Sequence, residues 1–208
     1  MNSIAYRWIE FFTLFIVVPI SFGIKYPIGI KIAIGFLGFL YVLYVLLKVE
    51  NVAFKVSEHI NWKSFWKQTL IKFLVIAAIT TLFVYYTNKS FLFHVIINKH
   101  LFWIFILLIY TFLSVYPQEL IYRTFYFKRY QTFFKNKYVL ILSNALIFSL
   151  AHVFFGNQLV LALTFLGGIL FAMTYYRTQS TLLVSIEHAI YGCWLFSVGM
   201  GDMLGFPA

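Results

Sequence analysis

A bundle of membrane-crossing helices, all-α and polytopic, is the fold class this sequence predicts, with about seven spans plus short interfacial helices. Composition predicts it first: 62% of the 208 residues are hydrophobic and 11% are charged, where a soluble domain is about a quarter charged. Mean hydropathy is +0.89. Run length completes the case, because the apolar segments far exceed the roughly 10-residue alternating strands of a membrane barrel. At about 20 residues per span the chain is used up by the bilayer. Residues 1–208 therefore read as one integral membrane domain with no room for a large soluble one.

The spans follow in order. The first is expected near Trp8–Ile24 and the second near Ile28–Leu47. The N-terminus has no basic stretch followed by a small-residue cleavage site, so the first apolar run reads as a retained span. A polar stretch, Lys48–Lys67, carries Trp62 and Trp66 in the manner of interface anchors. The third span is expected near Leu70–Tyr86. Phe91–Ile97 is apolar but too short to cross and suits the interface. The fourth span is expected near Leu101–Val115, with Pro117 marking a helix start or kink. The last three are expected near Tyr138–Phe155, Leu159–Tyr176 and Leu182–Met200. Within the sixth, Thr164, Gly168 and Ala172 form a small-residue stripe suited to close helix packing.

The net charge of +10 reads as basic loops of a membrane protein, not as a nucleic-acid surface. If the N-terminus is on one side, the segments on that side carry ten Lys and Arg residues, among them Lys48, Lys55, Lys63, Lys67, Lys128, Arg129, Lys135 and Lys137. The other side carries four: Lys25, Lys31, Lys89 and Lys99. The bias predicts a cytoplasmic N-terminus and, with seven spans, an external C-terminus. The single cysteine, Cys193, excludes an internal disulfide, and there is no CxxC or CxxH pattern.

A charge at the centre of a span costs about 2.5–3.5 kcal/mol on insertion scales, so ionisable residues in spans point to function or to pairing. Glu10, Lys31 and Lys72 are expected near span ends, where side chains reach the interface. The unusual groups lie in the second half. Glu119 and Arg123 are one helical turn apart, with the acid first, the favourable order. Phe148 and His152 share a face in "FSLAH". Glu187 and His188 are adjacent in "SIEHAIYG" and so project about 100° apart. His188, with a donor and an acceptor, is the better site candidate. Each has an ordinary explanation alone: an ion pair at a helix end, a hydrogen-bonded core histidine. Together they place one carboxylate and two histidines on separate spans, which is what activating a water requires.

The order of motifs resembles the CAAX prenyl protease and bacteriocin-processing family of intramembrane endopeptidases. The motifs are Gln118-Glu119-Leu-Ile-Tyr-Arg123, Phe148-Ser-Leu-Ala-His152 and His188-Ala-Ile-Tyr-Gly192, and the resemblance covers residues 117–200. It implies a peptidase core with Glu119, His152 and His188 as catalytic residues and Gln118, Arg123, Phe148 and Gly192 supporting them. It implies a peptide or membrane-anchored protein as substrate, membrane lipid as surroundings, and a bacterial inner membrane as location. Members of that family have been described both as metalloproteases and as glutamate-dependent enzymes. No cofactor is expected here; if zinc were bound, Glu119, His152 and His188 would be its ligands. The H-E-x-x-H pattern is absent. Two departures stand out. Gln118 replaces the first glutamate of the family's pair, and an amide cannot act as a base. Gly192 replaces the expected asparagine. Glu119, if held by Arg123, would be a weaker base.

Two functions follow. One is an endopeptidase that hydrolyses peptide bonds with an activated water, Glu119 or a histidine acting as base and a histidine stabilising the oxyanion. The other is a non-catalytic relative with an immunity or scaffolding role, which Gln118 and Gly192 favour. A small transporter fits less well, because no inverted repeat is present.

The charge bias makes the segments around Lys48–Lys67 and Lys128–Lys137 cytoplasmic. A cysteine introduced beside Asn136, in a Cys193→Ser background, should resist labelling by an impermeant maleimide on intact cells. Strong labelling there would reverse the orientation.

Overall fold

The fold comes from a computed structural model that describes residues 1, 3–52 and 60–204. Lys55 of the orientation count lies outside the described residues. Among them, seven helices are long and apolar enough to cross a membrane: Ile4–Phe22, Ile28–Val49, Trp62–Phe91, His100–Phe133, Lys137–Phe155, Gln158–Thr178 and Thr181–Val198. They are called the first to seventh helices below. A short helix, His94–Asn98, occupies most of the apolar piece that was too short to span. The chain is an all-α helical bundle of an integral membrane protein.

Polar caps start many of these helices. The side chains of Ser3, Asn61, Asn136 and Asn157 accept backbone N–H groups of the first, third, fifth and sixth. Such caps satisfy donors that a helix start leaves open. The third and fourth helices are longer than the apolar runs alone predict. The third begins at Trp62, so Trp62 and Trp66 are exposed residues of its first turns, not of a loop. The fourth runs past Pro117 instead of ending before it. Its Tyr110–Val115 stretch is π-helical, and the Tyr116 N–H reaches back to the Thr111 carbonyl. A wide turn of this kind accommodates a proline ring and its missing N–H without breaking the helix.

The chain forms two compact units. One comprises Met1–Lys55 and Pro117–Thr181; the other comprises Val56–Tyr116 and Leu182–Ala208.

In the first unit, Phe11, Phe15, Phe125, Tyr126 and Tyr130 make a buried aromatic core. The fifth and sixth helices meet at Gly168, where an added Cβ would stand 3.0 Å from the Ala145 Cα. The small-residue stripe is thus a packing surface. Another π-helical stretch, Leu120–Phe125, sends the Tyr126 N–H to the Ile121 and Arg123 carbonyls. The bypassed Tyr122 carbonyl accepts Asn144 Nδ2 at 2.5 Å. The asparagine, fully buried, supplies the donor that the wide turn takes away.

This unit also corrects two expectations. Glu10 does not reach the interface, and Arg129 is not a loop charge; both are buried. Arg129 Nε donates to Glu10 Oε2 at 2.7 Å, and its Nη1 donates to Glu50 Oε1 at 2.8 Å. Tyr130 donates to Glu10 Oε2 at 2.6 Å, and Tyr41 donates to Glu10 Oε1. Removing Arg129 from the tally of basic loops leaves the charge bias in place. Lys31 does sit at a helix end and donates to the Phe22 carbonyl at 2.5 Å.

In the second unit, Lys72 is held by a partner within the protein. Because the third helix starts at Trp62, Lys72 lies about 15 Å along it. It pairs with Glu187 of the seventh helix, whose side chain is fully buried. Tyr191 donates to the same carboxylate oxygen at 2.9 Å. Trp103 Nε1 donates to Ser197 Oγ, and Trp194 Nε1 to Thr80 Oγ1, each at 2.9 Å.

Removing one member of a buried ion pair strands the other and typically costs about 3–5 kcal/mol. Arg129→Ala should therefore sharply lower the melting temperature in detergent, while Lys128→Ala, at an exposed neighbour, should not. Equal melting of the two variants would show that the Glu10 network contributes nothing.

Candidate functional site

Each unit holds part of the predicted residue set. In the first unit, the fourth helix places Gln118 half-buried and Glu119 and Arg123 fully buried. Arg123 Nε stands 3.4 Å from Glu119 Oε2. The guanidinium lies over the Phe148 ring, 4.5 Å from its centroid, and within 5.8 Å of Phe171. A planar guanidinium suits this stacked position in a way an ammonium would not. Phe148 thus acts as a platform for Arg123, which in turn holds Glu119.

The same phenylalanine leads to His152. The regular α-helix of this segment ends at Leu150, and His152 sits in the turn beyond it. Its ring packs edge-on against Phe148 at 4.9 Å. Its Nδ1 is 2.8 Å from the Phe148 carbonyl oxygen. A carbonyl only accepts, so Nδ1 carries the hydrogen, and in the neutral ring Nε2 keeps its lone pair. His152 is half-buried. Glu119, Arg123, Phe148 and His152 therefore form one connected row in this unit.

In the second unit, Glu187 and His188 go to different partners. Glu187 is taken by Lys72 and Tyr191, as described above. His188 is buried, and its Nε2 lies 3.1 Å from the Tyr110 hydroxyl. The two rings meet edge-on at 6.0 Å, and Phe196 packs against the tyrosine at 5.0 Å. Gly192, one turn after His188, lies directly beneath Tyr110: a Cβ there would overlap the tyrosine hydroxyl and ring.

Sequence reasoning missed Tyr110 and Lys72. Tyr110 is one of 15 tyrosines in a chain that is 22% aromatic, so its residue type carried no signal. Lys72 gave one, a lysine beside a long apolar run, but where the third helix begins was not legible from hydropathy. Among the described residues no three His, Cys, Asp or Glu side chains gather into a metal-binding group.

A family model described as type II CAAX prenyl endopeptidase Rce1-like matches residues 98–194. The matched segment contains all three motifs and extends upstream to include Tyr110. No curated protein and no solved structure matches the chain.

Arg123→Ala would leave Glu119 buried without that cation. The variant should lose stability in detergent by about 3–5 kcal/mol, and Arg123→Lys should recover only part of it, because the stack on Phe148 is lost. Wild-type melting of Arg123→Ala would mean the pair is solvated and worth about 0–1 kcal/mol.

Proposed function

We propose, for a chain whose residues 98–194 belong to the type II CAAX prenyl endopeptidase Rce1-like family, that it is an intramembrane endopeptidase in which His152 is the general base. The observation that carries the assignment is the hydrogen bond from His152 Nδ1 to the Phe148 carbonyl at 2.8 Å. It fixes the tautomer whose Nε2 accepts a proton, and a neutral imidazole is suited to proton transfer near neutral pH. Glu119, held against Arg123, acts by orienting and by electrostatics. His188 is assigned to stabilising the developing oxyanion.

The steps balance without a cofactor. His152 Nε2 takes a proton from water as the water oxygen bonds to the carbonyl carbon, and the carbonyl electron pair moves to oxygen. Collapse breaks the C–N bond, and the amine nitrogen receives the proton from His152. The substrate class is a peptide or the peptide segment of a membrane-anchored protein, reached through the lipid. The same reading places the chain in a bacterial plasma membrane with its N-terminus cytoplasmic, and no nucleic acid is involved.

A second reading, a non-catalytic relative with an immunity or scaffolding role, is favoured by Gln118 and by the Glu119–Arg123 contact. One experiment separates the two. The purified full chain in proteoliposomes is offered quenched-fluorescent peptides, with and without a farnesylated C-terminal cysteine. Under the peptidase reading the wild type cleaves, His152→Ala and His188→Ala each lose at least ~100-fold, and Glu119→Gln loses less than His152→Ala. Gln118→Glu then changes the rate modestly. A wild type inert on every peptide, with cleavage appearing only in Gln118→Glu, would establish the non-catalytic reading instead.

A further inference from the structure

We propose that Tyr110 is a further catalytic residue, whose hydroxyl donates a hydrogen bond to the carbonyl oxygen of the peptide bond alongside which His188 acts. The inference rests on the peptidase reading and adds a residue that lies outside the three motifs. It stands on the geometry of one unit. Tyr110 Oη is 3.1 Å from His188 Nε2. The tyrosine covers Gly192 so closely that a Cβ there would overlap its hydroxyl and ring. The position where the family pattern has an asparagine amide is therefore bare, and a phenol from a different helix stands over it.

Both groups are hydrogen-bond donors, so the chemistry is kept while its source moves from the seventh helix to the fourth. Local backbone makes the move possible. Tyr110 opens the π-helical stretch Tyr110–Val115, and a wide turn re-aims the side chains at its start. Phe196 supports the ring from one side at 5.0 Å. Thr111 Oγ1, next in sequence, lies 3.7 Å from Cys193 Sγ. Exposure fits the role: His188 is buried and Tyr110 half-buried, so the tyrosine is the outer member of the pair.

With the hydrogen on His188 Nε2, the imidazole donates to Tyr110 Oη and the phenolic hydrogen is directed onward. Such a chain strengthens each of its bonds. During attack the water proton goes to the general base and the carbonyl electron pair moves to oxygen. Tyr110 keeps its proton throughout and stabilises that oxygen by hydrogen bonding alone.

The test uses the full chain in lipid nanodiscs, the quenched peptides above, and a short peptide aldehyde as probe, whose hydrate imitates the tetrahedral centre. Tyr110→Phe keeps the ring over Gly192 and removes only the O–H. It should melt like wild type, keep KM, lose roughly 10²–10³-fold in kcat, and bind the aldehyde weaker by a comparable factor. Gly192→Asn alone should misfold or melt early against the tyrosine, and Tyr110→Ala/Gly192→Asn should regain kcat to within about tenfold of wild type by returning an amide donor. Wild-type kcat and aldehyde affinity in Tyr110→Phe would overturn the inference while leaving the peptidase reading intact. A wild type that cleaves nothing, yet binds the aldehyde in a Tyr110-dependent way, would uphold the donor site and remove the peptidase reading. Neither cleavage nor aldehyde binding would overturn both.

Discussion

A carboxylate among lipid tails has no water to spread its charge, and a cation within reach is what keeps it there. The described glutamates of this chain follow that constraint. Glu10 and Glu50 share Arg129, Glu119 stands beside Arg123, and Glu187 pairs with Lys72. Three of the four are buried. Much of the remaining architecture is arranged around these contacts. Phe148 carries the Arg123 guanidinium, Tyr41 and Tyr130 complete the coordination of Glu10, and Tyr191 completes that of Glu187. The aromatic excess of the sequence thereby gains a second purpose. Tyrosine fills apolar space and brings a donor to an acid that would otherwise accept too few.

This constraint also explains what could be read from the sequence and what could not. The seven apolar helices were legible because hydropathy is a local property summed over a window. The Glu119–Arg123 contact was legible because one helical turn separates the two residues, and chain geometry alone brings them together. Lys72–Glu187 and Glu10–Arg129 are separated by more than a hundred residues, so their partnership depends on which helices pack together. Seen singly, Glu10 and Lys72 looked like charges that reach the interface, Arg129 like a loop charge and Glu187 like an unusual acid in its span. Helix ends were misplaced for a related reason. The third helix extends into polar residues that hydropathy excludes, and the fourth passes Pro117 because a π-helical stretch absorbs the ring. Neither adjustment leaves a trace in residue composition.

Two of the wide turns flank the Gln118–Glu119 pair. One precedes Pro117 and begins at Tyr110; the next follows Glu119 and contains Arg123. Each offsets the helix by a fraction of a turn and leaves a backbone carbonyl or a side chain pointing where a regular helix would not send it. In the second, the cost is met by Asn144, which takes the Tyr122 carbonyl. The two departures from the family pattern have different characters in this light. Gln118 puts an amide, which cannot act as a base, where the family pattern has a carboxylate. Gly192 removes a donor, but it also creates room that Tyr110 fills with another donor. The second departure is coupled to a neighbour.

The pairing rule has a consequence for any proton that must move in this protein. A glutamate whose oxygens are already engaged by a guanidinium or an ammonium has fewer lone pairs left for a water or a substrate. A group that must accept and release protons within one cycle cannot be tied down in this way. Imidazole escapes the constraint, because its neutral form carries no charge to be matched and is a base near neutral pH. His152 is fixed by a backbone carbonyl, a neutral acceptor that orients the ring without trapping a charge. His188 is oriented by a phenol, also neutral. Cations thus stabilise the acids and neutral partners orient the histidines. Under the peptidase reading proposed above, Gln118 means one carboxylate fewer that needs a cation, and the proton is left to imidazole.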